Sequence, residues 1–331
     1  MTRDSLDGIR ADDYHTAGEP FRIVDLGPMG GSTVLDRRSW AMNHLDDHRR
    51  YLVYEPRGHA GMYGGMVVPP DDDAGDIGVV FFHKDGFSTA CGHGTIALAT
   101  WAVDTGRIAA PVNGEVPVVI DVPSGRLPTV ARLLDGCVAS VRFTNVPSYV
   151  SATDLKVQTS FGPVTAHVSF GGAFYASVAV DDLNVTATAD RVDDLTALDR
   201  EVRAVLGDHP SCCHPGDDRL SGLYGSILHE TLDGDPLHQR NVTVFADGQV
   251  DRSPCGSGTS ARLALLHHLG MVDVGQAFQN RGLAGGEFTG RVVATTGDTV
   301  TTTIEGSAYR HATSTFHLDR HDPLGSGFLF R

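Results

Sequence analysis

The sequence predicts an α+β fold built from two pseudo-symmetric domains. The pattern Cys-Gly-x-Gly-Thr occurs twice, at Cys91 and at Cys255, 164 residues apart (255 − 91) in a chain of 331 residues. Each copy is followed by an apolar run, and each run meets a glycine, Gly106 or Gly270, fifteen residues after its cysteine. A chain of this length has room for two domains. We therefore infer a duplicated unit that presents a thiol at the start of a helix.

In the first half, strands are predicted where β-branched and apolar residues form runs bounded by glycine or proline. These runs are 21–26, 63–68, 78–83, 118–122 and 138–143. Residues 36–52 have the apolar spacing of one amphipathic helix. Residues 95–103 are apolar nearly all round, which is typical of a buried helix. Residues 1–20 are polar and are predicted to be extended or loose.

The second half repeats this plan. Its predicted strands are 162–170, 173–180, 223–228, 242–245 and three runs within 288–318. Residues 190–206 have apolar side chains on one face of a helix. The run after Cys255 predicts a second, mostly buried helix with a polar C-terminal end at His267 and His268.

The net charge of the chain makes negatively charged partners unfavourable. The formal net charge is −15, which disfavours nucleic acid and anionic membranes because both repel an acidic surface. No apolar stretch approaches the ~18 residues of a membrane span. The first residues are polar and acidic, without the basic and then apolar plan of a signal peptide. We therefore expect a cytoplasmic protein.

The five cysteines do not indicate a disulfide framework, since their number is odd and no secretion signal is found. Cys137 is predicted to be a small core residue in a strand. The vicinal Cys212 and Cys213 precede His214 in a loop, and a metal site there would need a second ligand pair. No dinucleotide-binding, Walker or zinc motif is present. The sequence therefore predicts neither a metal nor a cofactor.

The repeated motif has a chemical meaning. A helix N-terminus carries unpaired N–H groups and a partial positive charge, which favour the thiolate form of a cysteine there. The adjacent glycines allow backbone N–H groups to approach an anion. Two such loops provide one acid and one base for opposite sides of a carbon, together with two N–H clusters for one carboxylate. This arrangement would remove an α-proton from one face and return it to the other.

The segments 251–260 and 91–95 resemble the two active-site segments of the proline racemase family, which includes hydroxyproline 2-epimerases and trans-3-hydroxyproline dehydratases. The resemblance extends from about residue 15 to the C-terminus. Supporting segments are His15-Thr-Ala-Gly-Glu-Pro20, Glu55-Pro-Arg-Gly-His59, Asn145-Val-Pro-Ser148, Phe170-Gly-Gly-Ala-Phe-Tyr175 and Asp322-Pro-Leu324.

The resemblance implies a fold similar to diaminopimelate epimerase. Each domain would be a curved, mostly antiparallel sheet around a central helix, with the active site in the cleft between the domains. We place one domain at 1–148 plus about 312–331, and the other at 149–311. A homodimer is the assembly that the family suggests, and no cofactor is implied.

The resemblance also assigns roles to residues. Cys91 and Cys255 would be the acid–base pair, and Asp251 would hold the substrate ammonium group. The substrate carboxylate would be bound, largely through backbone N–H groups, by Gly92, His93, Gly256 and Ser257. Other readings stay open, because Cys91 could be a buried structural thiol, His93 a helix cap and Asp251 a turn residue.

Three functions are compatible with the sequence. The dehydratase branch of the family carries threonine where this chain has Cys255, so Cys255 favours a racemase or epimerase of proline or hydroxyproline. The segments 223–228 and 244–247 resemble the dehydratase branch, and trans-3-hydroxy-L-proline dehydratase is therefore the alternative. A thiol redox sensor or binding protein is a third possibility, from a different class.

Overall fold

The computed structural model describes residues 6–319 and 321–330, which form two compact units. The first unit contains the described residues up to Val141 and those from Ser307 onward, and the second is Arg142–Gly306. The sequence placed the boundaries at 148/149 and near 311/312. The division at 141/142 falls within strand β7, Cys137–Thr144.

The elements of the first unit are β1 (Ile9–Thr16), β2 (Glu19–Val24), α1 (Val34–His44), α2 (Asp46–Val53), β3 (Tyr63–Val68), β4 (Ile77–His83), α3 (Gly92–Asp104), β5 (Gly114–Val122), β6 (Gly125–Leu134) and β17 (Ala308–Phe316). Its sheet has the pairing order β17-β1-β2-β3-β4-β5-β6. The pairs β2–β3 and β4–β5 are parallel, and the others are antiparallel.

The second unit contains a sheet that closes on itself. Its elements are β8 (Ser148–Thr159), β9 (Gly162–Phe170), β10 (Phe174–Ala179), α4 (Val192–Leu206), β11 (Leu223–Leu232), β12 (Asp235–Phe245), β13 (Gln249–Val250), α5 (Gly256–His268), β14 (Ala277–Arg281), β15 (Glu287–Thr296) and β16 (Thr299–Gly306). The order is β8-β9-β10-β11-β12-β14-β15-β16, and β16 pairs again with β8.

The two units share one topology. In the first unit, successive pairs from β1–β2 to β5–β6 are antiparallel, parallel, antiparallel, parallel and antiparallel. The pairs β9–β10, β10–β11, β11–β12, β12–β14 and β14–β15 of the second unit follow the same series. In each unit a helix that starts with the repeated motif precedes the last parallel strand. The predicted α+β fold with two pseudo-symmetric halves is confirmed.

The helices α3 and α5 are the centres of their units. Every residue from Gly92 to Ala102 is buried, and so is every residue from Gly256 to Leu266. A helix without a polar face must be covered on all sides, and the surrounding strands do this. Helix α3 contacts β1, β2, β5, β6 and β17, whereas α5 contacts β8, β9, β10, β15 and β16. Among the described helices, none is both long and apolar enough to cross a membrane.

Several local predictions were wrong. The single helix expected over 36–52 is divided at Leu45, whose backbone (φ −121°, ψ 15°) is not helical. The segment 1–20, predicted to be extended or loose, contains strand β1, and its first five residues lie outside those that the structure describes. Strands β6, β8 and β14 were missed. These strands depend on pairing with distant residues, which local composition does not reveal. Cys137 is exposed rather than part of the core.

Strand β1 is polar because it carries one half of a buried ion pair. Asp13 lies opposite Arg22 of β2, and its two oxygens accept hydrogen bonds from Nε and Nη2 of Arg22, each at 2.8 Å. Nη1 of Arg22 also donates to the carbonyl oxygens of Leu52, at 2.6 Å, and Arg57, at 2.7 Å. Both charged side chains are buried. The pair thereby ties the β1–β2 hairpin to the end of α2.

We expect Asp13→Asn to lower the free energy of unfolding by about 3–5 kcal/mol, because the Arg22 cation would be left buried without a counter-ion. The matched control is Asp25→Asn, since Asp25 is paired with Arg107 at 3.7 Å on the surface. This change should cost under about 1 kcal/mol. Urea unfolding followed by circular dichroism measures both, and equal costs would contradict the prediction.

A second buried acid lies on α4. Asp199 is fully buried, and the nearest cation, the Nη1 atom of Arg203, is 3.9 Å from its Oδ2 atom. Burial raises the pKa of Asp199 to about 6 from an ordinary value of 3.8. The folded chain therefore binds this proton more tightly than the unfolded chain. The resulting stabilisation is complete below pH 3.8 and is lost as the pH rises through about 6.

We expect Asp199→Asn to raise the free energy of unfolding by about 1–3 kcal/mol at pH 8, where the wild-type acid is ionised, and to change it little at pH 4. Urea unfolding midpoints measured between pH 4 and pH 8 show whether the substitution raises or lowers the free energy of unfolding. Asp193→Asn, on an exposed position of the same helix, is the control and should show no such pH dependence. A loss of stability at pH 8 in Asp199→Asn would refute the expectation.

Candidate active site

The first thiol is the N-cap of α3. The Sγ atom of Cys91 accepts a hydrogen bond from the backbone N–H of Gly94 at 3.3 Å, and it lies 3.5 Å from both ring nitrogens of His93. A side chain at position 94 is excluded, because a Cβ there would lie 2.3 Å from the Phe21 ring and 2.8 Å from this sulfur. The second glycine of the motif is therefore required for the close approach of the amide.

The His93 side chain and backbone are held by the surrounding strands. Its ring is buried and nearly perpendicular to those of Phe21 and Tyr63, with centroid distances of 5.7 and 5.0 Å. The hydroxyl of Thr16 donates to the backbone oxygen of His93 at 2.9 Å. Thr16 belongs to the His15–Pro20 segment that the sequence singled out, and it fixes the loop that carries the first thiol.

The second thiol has the same position but a different backbone. Cys255 immediately precedes α5 with a φ of 61°, whereas φ of Cys91 is −156°. A left-handed conformation costs a non-glycine residue roughly 1–2 kcal/mol, and such strain is found most often at functional sites. The preceding carbonyl, that of Pro254, accepts hydrogen bonds from the side-chain amides of Asn241, at 2.9 Å, and Asn280, at 3.3 Å. These contacts hold the strained turn.

The expectation that a helix start favours the thiolate form is wrong for Cys255. Burial, together with the nearby Asp251 carboxylate, raises the pKa of the Cys255 thiol to about 12 from 9.0. The backbone N–H of Gly258 near the sulfur acts in the opposite direction, but more weakly. Desolvation of a thiolate is costly, and a neighbouring negative charge adds to this cost. Cys255 is consequently a neutral thiol at physiological pH.

Asp251 is buried at the start of the turn that leads to Cys255. Its Oδ1 atom accepts from the backbone N–H of Ser253 at 2.8 Å, and the Ser253 hydroxyl in turn accepts from the N–H of Cys255 at 3.1 Å. Burial raises the pKa of Asp251 to about 6. Above that pH the carboxylate is charged, so a buried anion lies beside the second thiol.

Ser257 and Tyr175 complete this second cluster. The hydroxyl oxygens of Tyr175 and Ser257 are 2.7 Å apart, and the Cys255 Sγ atom donates to the Tyr175 hydroxyl at 3.8 Å. The Tyr175 ring is fully buried and packs at right angles to Tyr224, with a centroid distance of 5.7 Å. Tyr175 ends the segment Phe170–Tyr175, but no sequence motif predicted a role for it.

The predicted site residues fall into two clusters, one in each unit. Cys91, Gly92 and His93 lie at the start of α3. The start of α5 gathers the other four, which are Asp251, Cys255, Gly256 and Ser257. Residues 6–319 and 321–330 contain no group of three or more His, Cys, Asp or Glu side chains arranged to hold a metal ion.

Comparison with known proteins identifies a family. The family model described as proline racemase matches residues 12–329. The chain is 38% identical over 331 residues to the trans-L-3-hydroxyproline dehydratase of Xenopus tropicalis, with 96% of this chain and 94% of the relative covered. It is 39% identical over 326 residues to the 3-hydroxyproline 2-epimerase of Burkholderia multivorans, with 96% and 97% covered.

The chain is also similar to a solved structure. The hydroxyproline epimerase of Agrobacterium vitis, crystallised with bound trans-4-hydroxy-L-proline, superposes with a TM-score of 0.90 at 29% identity. The match covers 97% of this chain and 94% of the epimerase chain.

The environment of the second thiol can be tested without a substrate. We expect Asp251→Asn to increase the rate of Cys255 alkylation by iodoacetamide about threefold at pH 8. Loss of the carboxylate charge lowers the thiol pKa, and the larger thiolate fraction outweighs its lower intrinsic nucleophilicity. Mass spectrometry of the peptide containing Cys255 measures the rate. Asp247→Asn, at an exposed position, is the control, and an unchanged or slower rate in Asp251→Asn would contradict the argument.

Proposed function

The chain belongs to the proline racemase family of enzymes that act on amino acids, and from that premise we propose that it inverts Cα of proline or a hydroxyproline without a cofactor. The observation that carries this proposal is a thiol at the start of each central helix. A cytoplasmic location and a homodimeric state stay predictions.

Cys91 and Cys255 are proposed as the two acid–base groups. Inversion needs a base that removes the α-proton and an acid that returns one to the opposite face. The thiol of Cys255, which burial and Asp251 keep protonated, suits the acid for one direction. Cys91, whose sulfur accepts from the Gly94 amide, suits the base because such a donor stabilises a thiolate. After one turnover the proton lies on Cys91, and the roles are reversed for the other enantiomer.

The starts of α3 and α5 are proposed to bind the substrate carboxylate. The first-turn N–H groups of a helix have no partner within the helix and favour an anion. Gly92, His93, Gly256 and Ser257 provide these groups. Their hydrogen bonds would strengthen as negative charge moves from Cα into the carboxylate during proton removal, and this stabilises the transition state.

Asp251 is proposed to bind the substrate ammonium group. A buried carboxylate is a strong partner for a cation that enters the same environment. Binding would also neutralise the charge that raises the Cys255 pKa. The substrate would thereby ease formation of the Cys255 thiolate only when it is bound, which limits side reactions of the free enzyme.

Dehydration of trans-3-hydroxy-L-proline is the second candidate. It is favoured by the Xenopus relative, which is named as a dehydratase of this kind. In that reaction a base removes the α-proton, the 3-hydroxyl takes up a proton and leaves as water, and the resulting enamine tautomerises to a cyclic imine. Only one acid–base group is indispensable. The presence of Cys255, a second group, is the reason why we prefer inversion.

We expect purified protein to exchange the α-hydrogen of at least one of L-proline, trans-4-hydroxy-L-proline and trans-3-hydroxy-L-proline for deuterium in D2O, with a change in optical rotation. Proton NMR and polarimetry measure these effects. A cyclic imine formed only from the 3-hydroxy substrate would favour the dehydratase. The proposal fails if none of the three substrates exchanges its α-hydrogen.

The variant Cys255→Thr separates the two reactions within the same experiment. Inversion should fall about 10²-fold or more, because a hydroxyl cannot replace the thiol in proton transfer. Dehydration would survive. Cys213→Thr replaces an exposed cysteine of the same unit and should leave inversion unchanged.

A further inference from the structure

We infer that the Tyr175 hydroxyl is a positioning group that turns between Ser257 and Cys255, and so links the direction of the Ser257 hydrogen bond to the protonation state of the second thiol. The role of Ser257 at the substrate carboxylate rests on the proposed function. The contact between Tyr175 and the thiol does not depend on it.

The geometry places the Tyr175 hydroxyl between two functional atoms. It lies 2.7 Å from the Ser257 oxygen and 3.8 Å from the Cys255 sulfur. Both distances are within hydrogen-bonding range for their atom types, because sulfur forms longer bonds than oxygen. The ring cannot move away easily, since it is fully buried in a small cluster with Ile227 and Ala261.

Counting hydrogens among Tyr175, Ser257 and Cys255 gives two arrangements, with the Asp251 side chain as a further hydrogen-bond partner of the thiol. When Cys255 is a thiol, S–H donates to the tyrosine oxygen, and the tyrosine O–H donates to Ser257. The Ser257 proton is then free to point toward an incoming carboxylate. When Cys255 is a thiolate it can only accept, so the tyrosine O–H turns to the sulfur and Ser257 donates to the tyrosine oxygen.

The change between arrangements has a functional consequence. Ser257 offers its proton to a ligand in the thiol form and withdraws it in the thiolate form. The tyrosine itself stays protonated throughout, because burial raises the pKa of its hydroxyl well above the ordinary value of 10.0. Tyr175 thus redirects hydrogen bonds and does not act as an acid or a base.

The test measures alkylation of Cys255 by iodoacetamide between pH 7 and 9, using mass spectrometry of the peptide that contains it. In Tyr175→Phe the thiolate loses a donor, and we expect the rate to fall about threefold. This value combines a roughly tenfold smaller thiolate fraction with a partly compensating gain in nucleophilicity. In Ser257→Ala the thiol form loses the acceptor of the tyrosine O–H, whereas in the thiolate form this O–H still donates to the sulfur. The thiolate is therefore favoured, and the rate should rise by a similar factor.

The opposite changes expected in the alkylation rates of Tyr175→Phe and Ser257→Ala distinguish this role from a structural one. General loosening of the site would expose the thiol and accelerate alkylation in both variants. Tyr149→Phe is the matched control, because it removes a buried tyrosine hydroxyl of the same unit that has no hydrogen-bond partner among the described residues. The inference is overturned if Tyr175→Phe behaves like Tyr149→Phe, or if Tyr175→Phe and Ser257→Ala change the rate in the same direction. No substrate is needed, so failure of the proposed function would leave this result intact.

Discussion

The structure depends on one constraint, which is that each unit contains a helix buried on every side. Such a helix cannot satisfy its first N–H groups with water, so its N-terminus must meet protein groups or a ligand. At α3 the Cys91 sulfur accepts a hydrogen bond from one of these N–H groups, that of Gly94. The sheets, the glycine pairs and the thiols are arranged around this requirement. A helix N-terminus inside a dry environment is the direct result, and the proposed chemistry uses it.

Two copies of one motif have become different in chemistry. Cys91 has an extended backbone beside a histidine ring, whereas Cys255 has a left-handed backbone near a buried carboxylate. An anion beside a desolvated sulfur keeps it protonated. Duplication supplied the position of each thiol, whereas burial and the Asp251 carboxylate raise the pKa of Cys255. In the proposed function Cys255 would act as the acid and Cys91 as the base in one direction, and the reaction would exchange these roles.

Local sequence signals predicted the elements whose stability is local. The buried helices were evident from apolar runs that follow a glycine-rich motif, and strands such as β4 were evident from continuous β-branched and aromatic residues. Strand β1 was not predicted as a paired strand because its residues are largely polar. Its Asp13 is neutralised by Arg22 from the neighbouring strand, and a sequence read locally cannot show that partner. The break at Leu45 was likewise hidden by an apolar spacing that continues through it.

The sequence by itself determined the family, the duplicated topology and the identity of the two thiol loops, because those follow from residue type and spacing along the chain. Tertiary structure decided the properties that depend on neighbours from distant segments. The high pKa of Cys255 follows from burial and a nearby carboxylate, and the contact of Tyr175 with Ser257 joins residues 82 positions apart. Thr16 reaches His93 across a comparable separation of 77 residues. Desolvation and hydrogen bonding act through space, so only the folded chain determines them.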